Sequence, residues 1–307
     1  MDENKKLTDE KRVELTKLSY AELELGESVE INDKFIGIVS DTIYADDGMR
    51  AFVITNPNEV TILFKGSYGF LKGNPTTWRD EWLNTNLPIL LAILANEKKV
   101  PSQLKTASDY LNKVIHQFRG ARFYIYGHSL GSINAQYALA NCRHPQEIIA
   151  AYLYEGTNIW LLLDQKQRRR ANKIRNKIYN YVDIYDPVTL GITATHHMVG
   201  KLQYVDSEKM QLVKQHMWGG YKFDKNGNLK LREIDENFLR ESRSDHELLD
   251  CSEALADFVV NTNSSEDIKK IATEKIFELA ERHLNSKTVA KLAELIKTNS
   301  EKGEKKR

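Results

Sequence analysis

The chain has 307 residues, 41% of them apolar and 28% charged, a composition typical of a water-soluble globular protein with room for one large α/β domain and a small appendage. A formal net charge of +1 gives no overall field that would draw nucleic acid or an acidic partner. Two cysteines, Cys142 and Cys251, provide neither a disulfide framework nor zinc-ligand spacing.

In chain order, the opening Met-Asp-Glu-Asn-Lys-Lys lacks the apolar core of a secretory signal. The expected location is therefore the cytoplasm, or outside the cell by a route that reads no cleavable signal. Thr8 caps a first helix whose opening turn carries Asp9 and Glu10, where the helix dipole favours acids. Residues 35–40, 49–55 and 60–64 read as strands, the last two joined by the turn sequence Asn56-Pro57-Asn58-Glu59. The longest apolar run, residues 87–95, contains Pro88 and is too short to span a bilayer. Ala107, Tyr110, Leu111, Val114, Ile115 and Phe118 recur at helical spacing.

Further on, residues 122–126 read as a strand and those after Gly131 as a helix. Then come a strand at 147–154, a basic helix at 165–176, and strands at 178–185 and 201–205. This order predicts an α/β fold, with a mostly parallel sheet flanked by helices and antiparallel strands at its beginning. From Ser244 onward there is no strand signal. Two apolar-periodic segments, around Ile268–Ala280 and Val289–Ile296, predict helices, and the basic end is expected to be disordered. The predicted organisation is an α/β domain over 1–243 and a helical C-terminal extension over 244–307.

The most informative stretch is Tyr124-Ile-Tyr-Gly-His-Ser-Leu-Gly131, a strand that runs through G-x-S-x-G into a helix. This is the pattern of a nucleophile elbow, in which the serine sits on a turn so tight that its Oγ stands above the sheet. Ser129 is the expected nucleophile, and Gly127 and Gly131 are expected where a Cβ would collide with neighbouring chain. A serine hydroxyl needs a histidine to take its proton and a carboxylate to orient that histidine, in the chain order Ser, acid, His. Asp186 follows the 178–185 strand and precedes Pro187; Asp183 competes but reads as lying within the strand. His216, in a glycine loop running into a hairpin, is the favoured base, with His246 and His197 as alternatives. Leu130, through its N–H, and Ser67, in Phe64-Lys-Gly-Ser67, are the expected oxyanion donors.

Taken together, Phe64-Lys-Gly-Ser67, Thr77-Trp-Arg-Asp-Glu-Trp82, Gly127-His-Ser-Leu-Gly131 and Asp186-Pro-Val188 resemble the class 3, fungal-lipase-like branch of the α/β-hydrolases, and more closely its bacterial lipase-like members. The resemblance spans about residues 50–230. It implies lipase, phospholipase or esterase chemistry with Ser129 as nucleophile, Asp186 as orienting acid, and Ser67 with Leu130 as oxyanion hole. The substrate expected is a carboxyl ester of a lipid, and no metal or organic cofactor is required. Ser132 stands where many such lipases have glycine, and Pro187-Val188 inverts their more usual Val-Pro.

Tyr68, Phe70, Trp78 and Trp82 fit a lid or acyl-chain contact as well as plain helix packing. Arg168-Arg169-Arg170 and its basic neighbours suit a solvated face or transient contact with anionic lipid. The Asp224-Lys-Asn-Gly227 run has its glycine too early for a calcium loop and reads as a hairpin turn. Two other functions fit the same pattern: a soluble esterase or thioesterase, or a catalytically degenerate hydrolase-fold protein whose C-terminal helices dock a protein partner.

Overall fold

The central strands are apolar at nearly every position because both faces of the sheet are covered. All six residues of β4 (Glu59–Phe64) and six of the seven in β5 (Arg122–His128) are buried. The computed structural model describes residues 3–66, 100–186, 189, 198–210 and 212–233. Among these, eight strands form one sheet in sequence order: β1 (Ser28–Ile31), β2 (Lys34–Tyr44), β3 (Arg50–Thr55), β4, β5, β6 (Ile148–Tyr154), β7 (Ile178–Val182) and β8 (Lys201–Tyr204). The pairs from β1 to β4 are antiparallel and those from β4 to β8 parallel, so the sheet is mostly parallel, with antiparallel strands at its beginning.

The expected hairpin at 56–59 joins β3 to β4, with Asn56 N–H bonded to the Glu59 carbonyl at 3.1 Å. β1 has no counterpart in the sequence reading. Its turn into β2 places Asn32 and Asp33 at φ 48° and 61°, the left-handed pair that a tight hairpin requires. The strand expected over 178–185 ends at Val182. The Asp183 N–H leaves the ladder and goes instead to the Glu155 carboxylate, at 3.0 and 3.2 Å. Asp183 therefore lies past the strand end, as Asp186 does. The basic helix ends at Ile174, and Arg175–Lys177 tighten into a 3-10 turn.

One face of the sheet carries α2 (Ser102–Gln117) and α3 (Leu130–Ala140), packed on each other, with α4 (Gln165–Ile174) beside α3. The other face is covered by the amino-terminal segment, including α1 (Asp9–Lys17) and the 3-10 turn Leu18–Tyr20. Beneath it the strands present tyrosines at alternating positions, so their rings stack across neighbouring strands. Tyr126 on Tyr152, Tyr152 on Tyr179 and Tyr154 on Tyr181 have centroids 5.3, 5.7 and 5.1 Å apart. The Arg12 guanidinium lies 4.5 Å above the Tyr152 ring and closes that stack. Thr8 caps α1 as expected. The expected extension over 244–307 and the segment 67–99 lie outside the described residues.

Candidate active site

At the end of β5 the chain reverses within one residue. Ser129 takes φ 56° and ψ −126° and then caps α3. Its N–H bonds the Tyr154 carbonyl at 2.9 Å, and its own carbonyl accepts from Ser132 and Ile133, so the elbow is fixed from both sides. The flanking glycines are there for space. A Cβ on Gly127 would stand 2.5 Å from the Gly131 carbonyl oxygen, and one on Gly131 would overlap the Phe64 carbonyl. Leu130 supplies the first N–H of α3, which no helical carbonyl can accept. Ser129 is buried to 4% exposure.

His216 ends α5 (Leu212–His216), and its Nδ1 lies 2.6 Å from Asp186 Oδ2, with both side chains fully buried. The carboxylate accepts at Nδ1, which leaves Nε2 as the working nitrogen for a proton. The Asp186 N–H bonds the Asp183 carbonyl at 3.0 Å, and the Thr189 hydroxyl donates to the Asp186 carbonyl at 2.8 Å.

Asp183, the competitor for the acid role, is bound to other partners. It accepts from the Ser207 hydroxyl at 2.6 Å, the Tyr185 N–H at 2.9 Å and the Gln215 amide. Gln215 adjoins His216, so Asp183 anchors the histidine's helix. Glu155, at φ 48° just past β6, accepts from the Asp183 N–H and the Tyr221 hydroxyl. Burial pushes its carboxyl well above the usual range, and the nearby Asp186 and Asp183 charges add to that. Asp183 is raised by burial as well, partly offset by its hydrogen bonds.

Sequence reasoning missed Glu155 and Trp218, because nothing local marks residues whose partners lie far along the chain: Asp183 is 28 positions from Glu155 and His128 is 90 from Trp218. In the sequence, His128 stands only as an x of the elbow motif. It is fully buried between the Tyr20 hydroxyl, the Trp218 ring and the His216 backbone. Ser67, Tyr68, Phe70, Trp78, Trp82, His197 and His246 lie outside the described residues. Among the described residues no cluster of His, Cys, Asp and Glu is arranged to hold a metal ion, and no helix is long and apolar enough to cross a membrane.

The family model described as Mbeg1-like matches residues 92–238, a stretch that holds the elbow, Asp186 and His216. No curated protein matches the chain. Among solved structures, the chain is similar to a Rhizomucor miehei lipase propeptide complex at 12% identity and a TM-score of 0.40, covering 63% of this chain and 66% of that one. A triacylglycerol lipase from Penicillium expansum matches at 12% identity and 0.40, over 64% and 78% of the two chains. A mutant form of MDLA from Penicillium cyclopium matches at 14% identity and 0.41, over 75% and 86%.

Proposed function

We propose that this protein is a serine carboxyl-ester hydrolase of the lipase or phospholipase type, working through an acyl-enzyme on Ser129. The observation that carries this reading is the buried Asp186–His216 pair, 2.6 Å apart, whose histidine backbone is joined by His128 to the strained serine elbow. His216 Nε2 takes the Ser129 hydroxyl proton as Oγ attacks the ester carbonyl carbon. Asp186 holds the imidazole in its productive tautomer and balances the imidazolium that forms. The Leu130 N–H, with Ser67, supports the oxyanion, and one such donor is worth roughly 3 kcal/mol of transition-state stabilisation. Collapse of the tetrahedral intermediate expels the alcohol, which takes the proton from His216. Water, deprotonated by the same histidine, then releases the acid and restores Ser129.

The choice of a lipid ester rests on the sequence resemblance to class 3 lipases. Lys166, Arg169 and Lys173 on α4 are exposed and offer a basic face for transient contact with anionic headgroups.

The test is hydrolysis of short-chain and long-chain p-nitrophenyl esters by wild type, Ser129→Ala and His216→Ala, all checked for folding. Both substitutions should abolish turnover, and rates that rise sharply with long-chain substrate in mixed micelles would favour a lipase over a soluble esterase. A folded wild type inactive on every ester would overturn the enzyme reading in favour of a hydrolase-fold interaction protein. Turnover that survives in His216→Ala would move the base to His246 or His197.

A further inference from the structure

His128 precedes the nucleophile in sequence, yet both its ring nitrogens are engaged elsewhere. Nε2 lies 2.7 Å from the backbone carbonyl oxygen of His216, and Nδ1 lies 2.5 Å from the Tyr20 hydroxyl. The first contact decides the second. A carbonyl oxygen can only accept, so Nε2 must carry the hydrogen. Among the described residues no carboxylate lies against either nitrogen. Burial, with the His216 ring 4.6 Å away, pushes the His128 imidazole well below the ordinary histidine range, which favours its neutral form. Nδ1 then keeps its lone pair and Tyr20 must donate to it. Burial also raises the Tyr20 phenol, which keeps its proton in place. The three groups form a one-way chain, from the Tyr20 O–H to Nδ1 and from the Nε2–H to the His216 carbonyl, in which each bond polarises the next.

The surroundings are built to hold this chain. The Trp218 ring lies on His128 with centroids 3.8 Å apart, two residues beyond His216 and at φ 61°. Gly66 leaves the space that Tyr20 occupies: a Cβ there would overlap the tyrosine hydroxyl and stand 2.9 Å from the His128 carbonyl. Gly66 is also the residue before Ser67. One buried contact set therefore joins the amino-terminal segment, the approach to the oxyanion loop, the elbow and the histidine loop.

We propose that Tyr20 and His128 are positioning residues of the catalytic site: His128 ties the backbone of the base to the residue next to the nucleophile, and Tyr20 supports that tie by donating to the His128 nitrogen that carries no hydrogen. The inference rests on the serine-hydrolase reading, in which Ser129 and His216 must be held in register within a few tenths of an ångström.

Two measurements test it, one of them independent of turnover. In 15N-detected histidine spectra, His128 of the wild type should be the neutral Nε2–H tautomer from pH 6 to 8, and Tyr20→Phe should shift the His216 ring signals. A His128 that is charged or Nδ1-protonated, or a His216 indifferent to Tyr20→Phe, overturns the proposal whether or not the protein hydrolyses esters. In ester kinetics, Tyr20→Phe should lower kcat roughly three- to tenfold, the worth of one net hydrogen bond, with KM changed less than twofold. His128→Gln, whose amide can still donate to the His216 carbonyl, should retain several times the kcat of an equally folded His128→Ala. Equal kcat in wild type and Tyr20→Phe, or in the two His128 variants, overturns it as well. Inactivity of the wild type would instead remove the enzyme reading and leave the spectra to decide the relay.

Discussion

Ser129 holds a backbone conformation that residues with a Cβ rarely adopt, with φ 56° and ψ −126°. Such a conformation stores about 1–3 kcal/mol, sustained here by the bonds that pin the elbow to β6 and α3. Glycine at the same position would release that strain while adding about 0.5–1 kcal/mol of chain entropy to be lost on folding. Ser129→Gly should therefore be more stable than Ser129→Ala by about 1 kcal/mol, with both inactive. Urea denaturation of the two variants measures the difference, and equal midpoints would mean the elbow is not strained. The same logic explains why the sequence points to this residue: glycine is required at 127 by the backbone of the following helix turn and at 131 by the backbone at the end of β4, and the pair leaves a local signature.

At the scale of elements, the amino-terminal segment is part of the sheet's core packing. Asn4 is fully buried, donates from its backbone and side chain to Glu59 at 3.2 and 3.1 Å and to Thr61 at 3.0 Å, and accepts from the Tyr126 hydroxyl at 2.9 Å. Asp9 pairs with Arg12 at 2.7 Å and accepts the Leu229 N–H at 2.9 Å, so α1 also holds the hairpin that follows the histidine loop. Asn4→Ala would leave a buried tyrosine hydroxyl and a buried carboxylate short of donors or acceptors. It should cost about 2–4 kcal/mol, since each unsatisfied buried group costs roughly 1–3 kcal/mol. Thermal unfolding reads this as a large fall in Tm, and an unchanged Tm would show that the segment is detachable from the core. The polar Asn-Lys-Lys start of the chain gives no hint of such burial, because the partners are 55 to 122 residues away.

For the whole molecule, two buried titrating groups limit stability from opposite sides. The His128 imidazole is held below its ordinary value of about 6.5, so its contribution is present above that pH and is lost as the pH falls from there towards the folded-state value. Glu155 is raised above its ordinary value of about 4.5. Its contribution is fully present below that pH and is lost as the pH rises towards the folded-state value. Glu155→Gln keeps an acceptor for Tyr221 but cannot ionise, so its Tm relative to wild type should improve steadily between pH 5 and pH 8. His128→Gln should show the opposite trend, losing less than wild type between pH 7 and pH 5. Parallel Tm-against-pH curves for either variant would show that its group does not titrate differently on folding.

The sequence by itself determined the chain-local features. Apolar runs marked β3 to β6, helical spacing marked α2, Asn-Pro-Asn marked the hairpin, and G-x-S-x-G marked the turn, because each of these depends on neighbours within a few residues. It also proposed Asp186 and His216, thirty residues apart, which lie 2.6 Å from each other. Tertiary structure decided what depends on distant partners. The capture of the Asp183 N–H by Glu155 ended β7 at Val182, while Ser207 and Gln215 took up the Asp183 carboxylate. The meeting of Tyr20, His128 and the His216 carbonyl depends on 108 residues of separation in one contact and 88 in the other. Buried polar groups must find partners wherever the fold supplies them, and those pairings are made only when the sheet closes over the amino-terminal segment.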